Sequence, residues 1–205
     1  MGRRAEHWIS GITASDVTGR EEATRLAQKD IKSAFAVARK IVHPWYRCQA
    51  LTAVALELAN LRERKSALME AFAAAYEQDE PNRITCASAW PLRALVPIDL
   101  AGARQQVIRL LAIISAEPHG LRRLDGLFGL LGAVLDSAEL RALVLPAFFL
   151  AAESSSGWRS ERLVAHMALA LGRVDPIAAR ALLEGRTANR FTSKALAALN
   201  TAALR

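Results

Sequence analysis

The chain has 205 residues, 52% of them hydrophobic but only 6% aromatic, and a formal net charge of +7 at pH 7. It can bury a core as one domain, or as one stack of about five helix pairs. Its abundant alanine and leucine, with only 11 glycines and 7 prolines, argue against a turn-rich β fold. No apolar run approaches the ~20 residues of a membrane span, the segment Met1–Arg20 lacks the apolar core of a signal peptide, and Glu6 spoils a myristoylation pattern after Gly2. The expectation is a cytoplasmic protein with no membrane partner.

Residues 1–17 read as a polar arm carrying Trp8. The first predicted helix begins near Thr18, where Thr18-Gly19-Arg20-Glu21 has the form of a capping box. Ala27, Ile31, Ala34, Phe35, Ala38, Ile41 and Val42 then keep the spacing of one buried face. His43-Pro44-Trp45 ends it, and a second helix follows from Tyr46. Another pair starts near Arg62, turns at Asp79-Glu80-Pro81-Asn82, and returns from Arg83 with Pro91 as an expected kink. The third pair runs from Asp99, turns at Glu117-Pro118-His119-Gly120, and returns along Leu124 to Leu135. The fourth opens near Ser137, carries Pro146, and reaches its return helix through Glu153-Ser154-Ser155-Ser156-Gly157, a connection of flexible composition. Residues 175–205 form a shortened final pair of the kind that caps an array.

Five arginines, Arg47, Arg83, Arg123, Arg162 and Arg190, open successive return helices, separated by 36, 40, 39 and 28 residues. A recurrence near forty residues predicts an all-α, right-handed αα superhelix of about five antiparallel helix pairs, one repeat domain over 1–205. Ile41-Val42-His43-Pro44-Trp45-Tyr46-Arg47-Cys48-Gln49-Ala50-Leu51 resembles a repeat of Ala-rich bacterial α-solenoids, Ile-x-Asp-Pro-x-x-Arg-Ala-x-Ala-Leu, related to HEAT-like and TPR-like helical hairpins. His43 stands where that pattern has aspartate, and Cys48 where it has alanine. The resemblance implies a scaffold that binds proteins, peptides or nucleic acids, and fold alone does not choose among them.

Two readings of the arginine row stay open: an edge that holds phosphates or carboxylates, or guanidinium groups that tie each turn to neighbouring carbonyls. Partner contacts are expected elsewhere. Lys29, Lys32, Arg39 and Lys40 fall opposite the apolar stripe of the first predicted helix. Trp45 and Trp158 occupy corresponding turns beside arginines, with Arg159 next to Trp158. Arg122, the neighbour of Arg123, is a further candidate for contact. Trp90 and His166 are expected in or near the core. Cys48 and Cys86 form no CxxC pair and are expected as free thiols.

His7, His43, His119 and His166 show no metal spacing, and no nucleophile elbow, Walker loop or dinucleotide fingerprint is present. No catalytic residue, metal or cofactor is therefore assigned. The expected function is a non-enzymatic helical-repeat scaffold for a protein partner, an acidic one where the basic residues meet it, acting as adaptor, regulator or toxin neutraliser. The alternative is a nucleic-acid-binding HEAT-like protein, at its extreme a DNA glycosylase-like enzyme with Asp125 as the carboxylate. The net charge itself has two explanations, an anionic partner or the codon usage of a GC-rich bacterium.

Overall fold

The structure is a computed structural model and describes residues 11–202. Trp8, His7 and most of the expected polar arm lie outside the described residues. Among the described residues the chain forms eleven α-helices and no strand. They are α1 (Ala14–Ala27), α2 (Ile31–Lys40), α3 (Pro44–Leu56), α4 (Leu61–Tyr76), α5 (Pro81–Leu95), α6 (Leu100–Ser115), α7 (Gly120–Ala133), α8 (Ala138–Glu153), α9 (Trp158–Leu171), α10 (Pro176–Leu183) and α11 (Arg190–Ala202).

The first predicted helix is two helices. Its capping box is Thr13 with Asp16, not Thr18 with Glu21, so α1 starts inside the segment expected to be a polar arm. Residues 28–30 then break the chain. The amides of Lys29 and Asp30 both donate to the Leu26 carbonyl at 2.8 Å, and the Asp30 carboxylate accepts from the amides of Lys32 and Ser33 at 3.1 Å. The apolar spacing runs through this break because both helices turn a buried face to the same interior, and periodicity alone does not register a cap. Later starts follow ordinary signals. Asn60, Ser137 and Asp175 cap their helices, and Pro44 and Pro176 sit in first turns, where a missing N–H costs nothing. Helices α5 and α8 continue through Pro91 and Pro146.

Backbone packing divides the chain into two compact units. One comprises residues up to Asp79 with Trp90–Leu100, the other Glu80–Ala89 with the residues from Ala101 onward. In the first, α1 packs on α2 and α3, α2 on α3, and α3 on α4, around Leu51, Leu68, Phe72 and Leu92. In the second, α7 packs on α8 and α9, while α9 packs on α10 and α11, around Leu110, Ile114, Leu124, Leu127 and Phe148. Each fully buried side chain of this size contributes about 1.5–3 kcal/mol. Small residues set the spacing: a β-carbon on Gly126 of α7 would come within 2.6 Å of Ile114 Cδ1 on α6.

Even-numbered helices are joined by ion pairs at nearly constant separation. Arg39 of α2 holds Glu70 of α4 through bonds of 2.7 and 2.8 Å. Lys65 of α4 pairs with Asp99 at the start of α6. In the second unit, Arg104 of α6 lies 3.4 Å from Glu139 of α8, and Arg141 of α8 lies 3.6 Å from Asp175, the N-cap of α10. The partners are 31, 34, 35 and 34 residues apart. Pairs as exposed as Arg39–Glu70 and Arg104–Glu139 are worth only about 0–1 kcal/mol each, so their effect is to choose register.

His43, where the resembled pattern has aspartate, makes no side-chain cap for α3. Asp16 of α1 supplies one instead. Its buried carboxylate accepts from the amides of Val42 and His43 at 3.1 and 2.9 Å, while also taking the Thr13 amide and hydroxyl at 2.8 and 2.7 Å. His119 also lacks a side-chain cap bond, and there the buried Glu117 accepts from the His119 amide at 3.1 Å. Burial alone would push the Asp16 carboxyl up. The bonds from His43, Thr13 and Val42 outweigh it and hold the group down from the ordinary 3.8 to about 2.

The folded state thus binds this proton less readily than the unfolded chain does. Its stabilisation is whole above pH ~4 and is lost as the pH falls through about 2. Replacing Asp16 by alanine strands several amides and should lower stability by about 2–3 kcal/mol at pH 7. Denaturant unfolding of both proteins at pH 7 and pH 2 checks this: the difference should be large at the first and small at the second. A pH-independent difference would refute the charged double cap.

Candidate partner-binding site

Two of the five recurring arginines share one role with two that do not belong to that series. Arg47 donates to the Ile41 carbonyl at 3.1 Å, and Arg64 to Leu58 at 2.9 and 2.6 Å. Arg123 donates to Glu117 at 2.9 and 2.5 Å, and Arg141 to Leu135 at 2.6 Å. Each arginine is the fourth residue of its helix, and each carbonyl lies six residues earlier, one or two residues past the end of the preceding helix. Helix ends leave carbonyls without intrahelical donors, and a guanidinium at this position reaches back over the turn to supply one. Arg64 and Arg141 escaped the sequence reading, although the signal was there: an N-cap residue followed four places later by arginine, as in Asn60 and Arg64 or Ser137 and Arg141.

The other three differ. Arg83 is the third residue of α5 and lies 3.2 Å from Glu80. Arg162 is the fifth residue of α9 and lies over the Trp158 ring at 5.5 Å. Arg190 is the first residue of α11 and lies over the Phe191 ring at 4.6 Å. Arg122 is held inside the second unit, 2.8 Å from Glu80, 3.2 Å from Glu117 and 3.2 Å from Asn82 Oδ1.

Lys32, Arg39 and Lys40 are exposed on α2 and Lys29 in the turn before it, with Arg39 engaged by Glu70 and by the Phe35 ring at 5.0 Å. Trp45 is half-buried. Trp90 is 52% exposed, so it is not the core residue expected, and His166 is exposed where a partly buried histidine was expected. Each sits on a helix with a strongly apolar opposite face, and neighbouring buried residues do not fix which side a given position takes.

Cys48 and Cys86 are free thiols. Burial pushes Cys48 up to about 12, and burial with the nearby Asp125 pushes Cys86 upward as well. Asp125 accepts from the Cys86 thiol at 3.8 Å, and desolvation raises its carboxyl, partly offset by that bond.

The starts of α9 and α11 are different from the rest. Gly157, with φ of 95°, holds a conformation that suits glycine and delivers Trp158 as the first residue of α9. Trp158 is 56% exposed, with the guanidinium groups of Arg159 and Arg162 over its ring at 5.3 and 5.5 Å. Across from it, Asn189 Oδ1 accepts from the amides of Phe191 and Thr192 at 2.8 and 3.1 Å and so fixes the start of α11. Between them lies an apolar cleft of about 620 Å³ lined by Gly157, Trp158, Glu161, Asn189, Arg190 and Phe191. The Glu161 carboxylate in its wall is neutralised by Arg186 at 2.6 Å and bonded by Asn189 at 3.3 Å. Among the described residues, no carboxylate pairs with Arg159, Arg162 or Arg190 within 4 Å, and all three are exposed. Such an arrangement can bind an apolar group flanked by anions.

No family model, curated protein or solved structure matches this chain.

The two kinds of arginine should respond differently to replacement by methionine, which keeps the aliphatic stem but not the donors. Arg123→Met or Arg141→Met should cost about 1.5–3 kcal/mol, because a helix-end carbonyl loses a charged donor. Arg159→Met should stay within about 0.5 kcal/mol. Chemical denaturation of the three variants measures the contrast, and equal effects would show that the fourth-residue arginines are not fastenings.

Proposed function

We propose that the protein is a non-enzymatic α-helical repeat scaffold, built as a right-handed αα superhelix, that binds a protein partner through the Trp158 cleft. Repeat architecture is supported by the fourth-residue arginines, the near-constant offset of the ion pairs, and the packing of α1 on α3, α7 on α9 and α9 on α11. The observation that carries the binding role is Trp158, solvent-exposed beneath two arginines at the mouth of an apolar cleft. Tryptophan and arginine in that setting are the residues on which interface energies concentrate. Free thiols suit the cytoplasm.

A nucleic-acid interface would need a continuous basic track. Several arginines are instead paired within the chain: Arg39, Arg47, Arg104, Arg122, Arg141 and Arg186 each lie against a carboxylate. That supports composition as the source of the net charge and an adaptor, regulator or neutralising partner as the role.

Affinity capture with the whole chain from its native cells tests the scaffold, with Trp158→Ala and the triple charge reversal of Lys29, Lys32 and Lys40 run beside it. A protein should be retained by the wild type and the lysine variant, and should rebind the purified chain when expressed alone. Trp158→Ala should weaken that rebinding by about 2 kcal/mol or more. Binding of random duplex DNA that falls steeply between 50 and 200 mM salt, with no protein partner, would overturn the reading in favour of nucleic acid (a range over which ~10³-fold losses are typical).

A further inference from the structure

Carboxylates hold many of this chain's arginines, but the three around the α9–α11 cleft are held by rings. Arg159 and Arg162 lie over Trp158, and Arg190 lies over Phe191. A guanidinium stacked on an aromatic face keeps its N–H edge directed outward, and stacking fixes the orientation of that edge in advance. Arg190 therefore lines the apolar slot directly, Arg159 and Arg162 lie over its Trp158 wall, and its only carboxylate, Glu161, is already neutralised by Arg186. The charge is local as well as uncompensated, so its complement is equally specific: one apolar side chain with carboxylates close on both sides.

We propose that the occupant of this cleft is a short acidic peptide segment of the partner, with an aromatic or large aliphatic side chain set between Trp158 and Phe191 and its flanking Asp or Glu carboxylates on Arg159, Arg162 and Arg190. This rests on the scaffold reading above and adds the chemistry of its ligand. The rings favour a peptide over a nucleic acid. Two guanidinium groups already lie over Trp158, and a base would have to displace them to stack, whereas an apolar side chain enters the cleft beside the ring and leaves them in place. A peptide anchored this way draws specificity from the slot and association rate from the charges.

Fluorescence anisotropy on the full chain tests this with a fluorescein-labelled heptapeptide in which phenylalanine is flanked on each side by three glutamates. The controls are the same peptide with central alanine, the lysine-flanked phenylalanine peptide, and a dodecamer of dT. The acidic phenylalanine peptide should bind at least about tenfold more tightly than each control. Trp158→Ala should weaken it about 30-fold. Arg159→Glu and Arg190→Glu should each weaken it about tenfold or more, and raising the salt from 50 to 300 mM should weaken the wild type. Arg62→Glu on the exposed face of α4 makes the same charge change at a residue that does not line the cleft and should leave binding unchanged, and circular dichroism of each variant checks that it remains helical. Equal binding of the alanine peptide would reduce the site to nonspecific charge and overturn the proposal. Tighter binding of the dT dodecamer, competing with the peptide, would overturn it in favour of nucleic acid. Failure of the peptide while the captured protein still depends on Trp158 would overturn the acidic ligand and leave the scaffold standing. Loss of both would remove the scaffold reading too.

Discussion

Every turn in this chain has to satisfy the carbonyls at the end of one helix within a few residues of starting the next. With eleven helices among the described residues and short connections between them, that requirement recurs along the whole fold. The recurrent solution is an arginine at the fourth helical position. From there the side chain can reach the carbonyl six residues back, and the charge strengthens the bond beyond what a neutral donor would give. Arg47, Arg64, Arg123 and Arg141 all do this. The N-terminal side of the same turns carries the complementary solution, a side-chain oxygen that accepts from amides: Asn60 and Ser137 locally, Glu117 from two residues upstream, Asp16 from a neighbouring helix. The core between the turns is made largely of alanine and leucine, which offer area but little directional preference. Direction comes from the turns, and register from the ion pairs between even-numbered helices.

This division of labour explains which parts of the fold were legible. Helix existence and most turns could be read because apolar spacing and Pro, Gly or Asn signals are local. The separation of α1 from α2 was misread because one apolar phase crosses Asp30, whose capping role depends on two amides rather than on hydropathy. The Asp16 cap was out of reach, since the two amides that donate to it, those of Val42 and His43, lie 26 and 27 residues away. The missing aspartate at position 43 was visible in the sequence; what replaces it was not.

The candidate site was partly legible for the same reason. Trp158 and Arg159 stood out by type and neighbourhood. Arg162 and Arg190 were grouped with Arg47 and Arg123 because the series counts residues between repeats, while the role depends on position within the first turn. At about 100° per residue, the first, second and fifth positions of α9 share one sector of the helix surface, and the fourth lies to one side of it. Trp158, Arg159 and Arg162 occupy those first, second and fifth positions. A one-residue change of phase thus separates a fastening from a surface arginine.

The fourth position of α9 holds Glu161, and the consequence reaches the cleft. Glu161 cannot donate to a carbonyl, but it binds Arg186 at 2.6 Å, and Arg186 donates to the Ala152 carbonyl in the last turn of α8 at 2.5 Å. The turn is therefore fastened by an arginine borrowed from the connection before α11. Because Arg186 takes over that duty, neither Arg159 nor Arg162 is needed for it, and both are left to stack on Trp158. The same exchange neutralises the one carboxylate that lines the cleft. The absence of a fourth-position fastening in α9 and the uncompensated positive charge at the candidate site both follow from one residue, a glutamate where α3, α4, α7 and α8 place arginine.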